Sequence, residues 1–413
     1  MKIPWMKSIP AHWQTLRAKN MFEKQSRAVR DEDDVVTCFR DGMVTLRKNR
    51  RTTGFTESIQ WSGYQGVRKG DLVIHVMDAF AGAIGVSDSD GKSTPVYNVC
   101  TAKMDLNNHY YAYLLREMAR TGFIQSLYRG IRERSSDFRF EVFAGLFLPV
   151  PPRKEQDQIV RYLDWKVSQI NKLINAKQRQ IALLQLHKQT TLREAFINKN
   201  SDWQTVRVRF LCKITTGNKD TINRVDDGLY PFYVRSPNIE RINTYSYDGE
   251  AILMAGDGVG AGRVFHYANG RFDYHQRVYC FYEFSEKLYV KYVHYYMASL
   301  FPLVVDKGTA KSTVDSIRLN MIQDFPISFP NIDKQAAIVK YLDEQCAVTE
   351  NVVAKLANEI DLITEYRACL ISDVVTGKQD VYGVIVPEYE DVEMVEHCVE
   401  TEKIDELEVV ANE

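Results

Sequence analysis

From Glu155 to about Asn198, Leu163, Val167, Ile170, Ile174, Lys177, Ile181, Leu184, Lys188, Thr191 and Ala195 recur at spacings that alternate between four and three. That pattern predicts one long helix with a coiled-coil seam. Roughly 40 residues at 1.5 Å each reach about 60 Å. A helix of that length has no core of its own and needs a partner. A second such stretch runs from about Asp333 to Thr376, with Gly377 placed as a C-cap. Shifting the first seam by 179 residues gives Leu342, Cys346, Thr349, Val353, Leu356, Ile360, Ile363, Arg367, Leu370 and Val374, mostly apolar again. Lys188 falls on Arg367, so the seam itself is repeated.

The segments that open the helices are repeated too. Gln156-Asp157-Gln158-Ile159-Val160-Arg161-Tyr162-Leu163-Asp164 returns as Gln335-Ala336-Ala337-Ile338-Val339-Lys340-Tyr341-Leu342-Asp343. Each copy follows a proline-punctuated apolar run, Phe147 to Pro152 and Phe325 to Pro330. At the first position of the block Glu155 is replaced by Lys334, a change expected to matter little at a helix start. Upstream, Trp13-Gln14-Thr15-Leu16-Arg17 is echoed by Trp203-Gln204-Thr205-Val206-Arg207. Gly70 to Asp78 is echoed by Gly249 to Asp257, and Tyr110 and Tyr113 by Tyr289 and Tyr292, all at the same offset. Tyr110 to Thr121 has the pattern of a helix ended by Gly122. Val35 to Phe39 and Asp71 to Val76 have that of strands. Between these anchors the units diverge. Phe39-Arg40-Asp41-Gly42-Met43 and Phe232 to Ile239 show no counterpart of one another.

The expected fold is therefore α+β. Two α/β units are separated by two long helices that form an antiparallel intramolecular coiled coil, with pseudo-two-fold symmetry. The boundaries fall at 1–148 for the first unit, 149–198 for the first helix, 199–328 for the second unit, 329–378 for the second helix and 379–413 for an acidic, flexible tail.

Charge changes the picture modestly. The net charge of −1 conceals eleven acidic residues against one basic, Lys403, in residues 381–413. Without them the body carries 52 basic and 43 acidic residues, a balance compatible with a polyanionic partner. At 45% hydrophobic and 26% charged residues, the composition is that of an ordinary soluble protein. No apolar run approaches the roughly 18–20 residues that span a bilayer, so no membrane partner is expected. Met1-Lys2-Ile3-Pro4-Trp5 lacks a signal peptide's apolar core, which points to the cytoplasm. Seven cysteines occur singly, without metal-ligand spacing.

Two glycine-rich stretches are best explained as turns. Gly85 to Ser93 has five residues between its glycines where a phosphate loop needs four. Gly256-Asp257-Gly258-Val259-Gly260-Ala261 fits a dinucleotide fingerprint formally, but the strand-like Arg263 to Tyr267 follows it instead of a helix. The eight histidines show no ligand spacing, and no nucleophile elbow occurs. The sequence thus offers no catalytic residue and no metal site. Basic and hydroxyl residues do cluster in loop-like places and suit phosphates and base edges. The candidates are Arg47, Lys48, Arg50 and Arg51; Arg129, Arg132, Arg134 and Ser135; Arg235; and Lys307, Thr309, Lys311 and Ser312.

The doubled proline, Gln, Ile-Val-x-Tyr-Leu-Asp block, the long helices and the divergent units together resemble the DNA specificity subunit of type I restriction-modification enzymes, over residues 1 to about 380. The resemblance implies that each unit reads one half of a split double-stranded DNA site. It also implies that the helices bind two methyltransferase subunits, with Gln156, Ile159, Leu163, Gln335, Ile338 and Leu342 as the helix motif, and that restriction and translocase subunits join the complex. S-adenosylmethionine, ATP and Mg belong on those partners, so this chain is expected to be non-catalytic. The alternative is a coiled-coil structural adaptor without sequence-specific DNA binding. A further rival, an enzyme whose site is made of residues that converge only in space, predicts activity from the purified chain alone.

Overall fold

A computed structural model describes residues 3–6, 8–50, 63–127, 138–197, 203–308 and 316–394. The chain divides into two compact units, Met1–Ala176 with Glu359–Glu413, and Lys177–Asn358. Both long helices cross that division. Each unit contains part of both.

The first unit opens with β1 (Gln14–Arg17), a short α1 (Ala18–Met21) and β2 (Phe22–Lys24). There follow β3 (Val36–Cys38), β4 (Val44–Leu46), β5 (Gln65–Val67), β6 (Leu72–His75), β7 (Ile84–Val86), β8 (Gly91–Ser93) and β9 (Tyr97–Ala102). A four-stranded antiparallel sheet in the order β2-β9-β6-β7 carries the helix α2 (Asn108–Arg120), with β3–β4 and β5–β8 as two-stranded ribbons. Asn107 caps α2 by accepting the His109 N–H at 2.9 Å, and Gly122 follows the helix at φ +76°. Two short helices, α3 (Phe123–Ser126) and α4 (Phe140–Gly145), lead to β10 (Phe147–Val150). Here the sequence echo gains its meaning, because β10 runs antiparallel to β1 with Gln14 opposite Val150. Helix α5 (Arg153–Ile197) follows at once.

The second unit repeats that frame with different furniture. β11 (Gln204–Arg207) opens it, followed by β12 (Lys213–Thr216), β13 (Tyr230–Tyr233), β14 (Ile239–Ile242), β15 (Tyr247–Ala255), β16 (Phe265–Tyr274) and β17 (Val278–Tyr282). These last six strands form one sheet in the order β12-β17-β15-β16-β13-β14, in which only β13 and β16 run parallel. Helix α6 (Val290–Gly308) and the short α7 (Leu319–Gln323) lead to β18 (Pro326–Phe329), which pairs with β11 as β10 does with β1. Helix α8 (Ile332–Val375) follows, and Gly377 beyond it adopts φ +72° against Pro10 and Trp13, where a Cβ would collide. The chain's fold thus has two α/β units and two helices of 45 and 44 residues.

The repeated glutamine explains why the frame recurs. Gln156 and Gln335 are both buried. Gln156 Oε1 accepts the Asn107 N–H at 2.9 Å, and its Nε2 donates to the Pro151 carbonyl at 2.8 Å. Gln335 accepts from the Tyr289 N–H and donates to the Pro330 and Lys287 carbonyls, all at 2.9 Å. One amide thus ties the start of the long helix to the proline run before it and to the start of the sheet-packed helix. The aspartate eight residues on makes the next tie. Asp164 accepts the Tyr113 O–H at 2.8 Å, and Asp343 accepts that of Tyr295 at 2.6 Å. Trp13 meets Tyr110 edge-on, and Trp203 meets Tyr292 likewise. These contacts correct one detail of the sequence alignment. Tyr110 and Tyr113 correspond to Tyr292 and Tyr295, three residues beyond the positions that a uniform offset selects. Glu155 also matters more than its place at a helix start suggested. Its carboxylate accepts from Trp13 Nε1 and contacts His12 Nε2, both at 2.9 Å, so it anchors the opening segment. In the second unit Asn331 Oδ1 accepts the Lys334 N–H instead.

All twenty seam positions are buried or half-buried. In each unit the two helix segments run in opposite directions. In the first, Leu163, Ile170 and Ile174 share a core with Leu370 and Val374. In the second, Phe196 shares one with Leu342 and Val339. The polar seam positions are also repeated. Lys188 Nζ donates to Glu350 at 2.7 Å, and Arg367 Nη1 donates to Asn171 Oδ1 at 2.8 Å. Glu350 lies 179 residues beyond Asn171, so both members of the pair are duplicated. Polar pairs in a hydrophobic seam fix register at some cost in stability.

The acidic segment departs from the flexible tail that its composition suggested. Residues 381–394 run along α5, held by side chains of that helix. Gln158 Nε2 donates to the Val381 and Val384 carbonyls, Ser168 Oγ to that of Glu390, and Asn171 and Asn175 to those of Val392 and Glu393, at 2.6–3.1 Å. Ser168, Asn171 and Asn175 are buried beneath it. A low-hydrophobicity segment stays ordered here because buried amides on the helix require acceptors. Residues 395–413 lie outside the described set.

Two predictions follow from these ties. Gln335→Leu leaves the Tyr289 N–H and two carbonyls without their partner inside the fold, so urea unfolding should show a loss of roughly 2–4 kcal/mol. The second concerns the repeated aspartates. Burial raises both carboxyls. At Asp164 burial prevails over the Tyr113 hydrogen bond, and the group sits above the ordinary aspartate value. At Asp343 burial is outweighed by hydrogen bonds from Lys291 and Tyr295, and the group sits below it. A depressed carboxyl contributes stability above its unfolded value and loses it as pH falls through the folded one. A raised carboxyl contributes below its unfolded value and loses that as pH rises through the folded one. Asp343→Asn should therefore lower the melting temperature at pH 7, with the deficit shrinking towards pH 3. Asp164→Asn should be neutral or stabilising at pH 7, because the amide keeps an acceptor for Tyr113 without a buried charge.

Candidate nucleic-acid interface

The basic candidates within the described residues lie on loops beside the sheets, and each is engaged. Arg47 donates through Nε to Thr37 Oγ1 at 3.3 Å, across the β3–β4 ribbon. Lys48 pairs with Asp34 at 2.6 Å and holds that carboxyl below its usual range. Arg50 donates to Asp41 at 2.5 Å and lies over the Phe39 ring, bracing the turn between β3 and β4. Arg235 donates to Asp257 Oδ1 at 3.1 Å. Arg51, Arg129, Arg132, Arg134, Ser135, Thr309, Lys311 and Ser312 lie outside the described residues, as does the side chain of Lys307. The helix-motif residues Gln156, Ile159, Leu163, Gln335 and Leu342 are buried within their own units, and Ile338 is half-buried.

The structure brings together a constellation that spacing alone concealed. Asp78 and Asp257 follow the repeat-related strands β6 and β15. Each is met by an arginine from a loop that had no counterpart in sequence, with Arg40 Nη2 at 2.9 Å from Asp78 and Arg235 Nη1 at 3.1 Å from Asp257. The two loops arrive by different routes. Arg40 sits in the β3–β4 turn, where Gly42 donates to the Phe39 carbonyl, whereas Arg235 sits in the connection between β13 and β14. Their backbones are nevertheless seated alike. A Cβ on Gly82 would lie 2.8 Å from the Arg40 carbonyl, and one on Gly260 would lie 2.7 Å from that of Arg235. In both turns a glycine is needed because a carbonyl packs on its face.

The surroundings are equivalent too. His75 N–H donates to the Ala83 carbonyl, and Ala255 N–H to that of Val264. The Val76 carbonyl accepts from Phe138, and the Gly256 carbonyl accepts from Ile317. Phe138 and Ile317 each follow one of the basic stretches noted in the sequence, and each binds the backbone within two residues of the paired aspartate. Arg277 adds a second guanidinium 3.7 Å from Asp257, and in the first unit His75 Nδ1 stands 3.6 Å from Asp78. Burial holds the His75 imidazole below its ordinary value, which keeps it neutral near pH 7 and leaves Nδ1 to accept the Asp78 N–H. Arg40, Asp78 and Asp257 were not singled out in the sequence as site residues. The repeat of Asp78 at Asp257 was the available signal.

The dinucleotide reading of Gly256 to Ala261 is excluded by position, since the segment is a turn between two strands of one sheet. Among the described residues no three His, Cys, Asp or Glu side chains gather to hold a metal ion. No described helix is long and apolar enough to cross a membrane.

A solved structure titled "Structural basis underlying complex assembly and conformational transition of the type I R-M system" covers 91% of this chain and 100% of its own, with TM-score 0.70 and 16% identity, a likeness of fold. The HsdS subunit from Thermoanaerobacter tengcongensis aligns over 91% of this chain and 99% of its own, with TM-score 0.49 and 16% identity. The EcoDI specificity subunit, a type I restriction enzyme subunit of Escherichia coli, is 26% identical over 179 residues, 43% of this chain. This chain covers 38% of that relative's length. Residues 200–362 match the family described as the type I restriction modification DNA specificity domain. That segment takes in most of the second unit.

Proposed function

We propose that this chain is the DNA-recognition subunit of a type I restriction-modification complex, in which each unit reads one half of a bipartite double-stranded site. The observation that carries the reading is the specificity domain of residues 200–362, whose frame of opening strand, buried glutamine and long helix recurs in residues 1–176. A frame kept twice, with unlike loops mounted on the same Arg–Asp seat, suits two independent readings of different sequences. Base edges specify, while phosphate contacts position.

In this reading the chain is non-catalytic and works in the cytoplasm. Two methyltransferase subunits dock on the outer positions of the long helices, since the motif side chains that face inward are buried within their own units. Restriction and translocase subunits complete the assembly. S-adenosylmethionine, ATP and Mg are bound by those partners, and this chain contributes recognition alone.

Single-molecule methylome sequencing of cells that co-express the chain with its cognate methyltransferase subunit tests the proposal. A split, asymmetric methylated motif should appear, and only when this chain is present. A purified stable complex that leaves no new motif would sink the reading in favour of a structural adaptor. Replacing residues 1–148 by the equivalent unit of another such protein should change one half of the motif, and a change in both halves would refute independent reading. One heptad added to each long helix extends it by about 10 Å, or roughly three base pairs. The unread spacer should lengthen accordingly, and an unchanged spacer would remove the helices from the spacing mechanism.

A further inference from the structure

We propose that the Arg40–Asp78 and Arg235–Asp257 pairs each read one G·C base pair, the first in one half-site and the second in the other. The proposal rests on the DNA-recognition reading above and names the residues that carry it. In the major groove guanine presents two acceptors, O6 and N7, and its partner cytosine presents the N4 amino donor. A guanidinium beside a carboxylate offers the complementary pattern, with donors for guanine next to an acceptor for cytosine. A phosphate would suit these seats poorly, because the carboxylate repels it.

Three features favour reading over structure. The arginine side chains are exposed, 68% for Arg40 and 47% for Arg235, above half-buried aspartates, and ion pairs with an exposed partner stabilise folds modestly. Each guanidinium is held to its aspartate through one nitrogen, which leaves the remaining N–H groups to a ligand. Most tellingly, the pair is present in both units although the arginines arrive on unrelated loops. A pair needed only to brace one loop has no reason to recur on the other. The aspartate fixes where the guanidinium points before DNA arrives, and a pre-oriented side chain loses less freedom on binding.

The test uses the full chain in complex with its methyltransferase subunit. Wild type, Arg40→Gln, Arg40→Lys, Asp78→Asn, Arg235→Gln and Asp257→Asn are compared by methylome sequencing. Complex formation on a sizing column and thermal melting serve as folding controls. The wild-type motif should contain a G·C pair in each half. Arg40→Gln should make one position of one half degenerate, with discrimination falling at least about fivefold, and leave the other half intact. Arg235→Gln should do the converse. Arg40→Lys should keep part of the guanine preference, which shows that the loop still folds. Asp78→Asn and Asp257→Asn should relax the same positions without weakening non-specific DNA binding, a pattern that a bracing role would not produce. An unchanged motif in Arg40→Gln and Arg235→Gln, degeneracy in both halves from one variant, or a half-site without G·C would overturn the proposal while leaving DNA recognition standing. Absence of any motif with the wild-type complex would overturn both.

Discussion

The fold depends on a single buried amide, used twice. Gln156 and Gln335 each sit where a proline run, a sheet-packed helix and a 44- or 45-residue helix converge, and no apolar side chain could satisfy the backbone groups exposed there. The proline before each long helix leaves a carbonyl at the strand-to-helix corner, and the glutamine supplies its donor. The same amide receives the N–H at the start of α2 or α6. From that corner the aspartate eight residues on fixes the tyrosine two turns along the neighbouring helix. A frame tied at such points tolerates wholesale change elsewhere. The first unit places a four-stranded sheet and two ribbons on it, and the second places a six-stranded sheet.

How much of this was legible follows from the range of the interactions. The seam was legible because heptad spacing is local, and all twenty positions are buried or half-buried. The pairing of β1 with β10 and of β11 with β18 could be guessed from repeated ends but not deduced. The Arg–Asp seats were beyond reach, since Arg40 and Asp78 are 38 residues apart in one unit and Arg235 and Asp257 are 22 apart in the other. No fixed offset aligns the two arginines. The uniform offset of 179 also failed locally, because the turn after β15 and the approach to α6 contain extra residues. Tyr292 and Tyr295, rather than Tyr289 and Tyr292, take the places of Tyr110 and Tyr113.

Composition misled where it was asked about order. Residues 381–394 are acidic and poor in buried side chains, which ordinarily marks a disordered segment. Their backbone is what the fold uses. Gln158, Ser168, Asn171 and Asn175 present side-chain donors along one side of α5, and the carbonyls of the acidic segment satisfy them. The positions 179 residues beyond Ser168 and Asn175 are Ala347 and Ala354, which can hold no such strap. The duplication is therefore broken at this face, and the break is encoded in the helix rather than in the tail.

The two aspartates of the repeated block show the same principle at the scale of one charge. Asp164 and Asp343 hold equivalent tyrosines, yet burial raises the first, while Lys291 and Tyr295 bring the second down. The residue at the place of Lys291 in the first unit is His109, whose milder charge only partly offsets burial at Asp164. Geometry was retained while the electrostatics around it drifted. That separation lets a duplicated frame carry two different surfaces. The backbone ties require particular atoms at particular places, whereas the charges around them need only leave those atoms bonded.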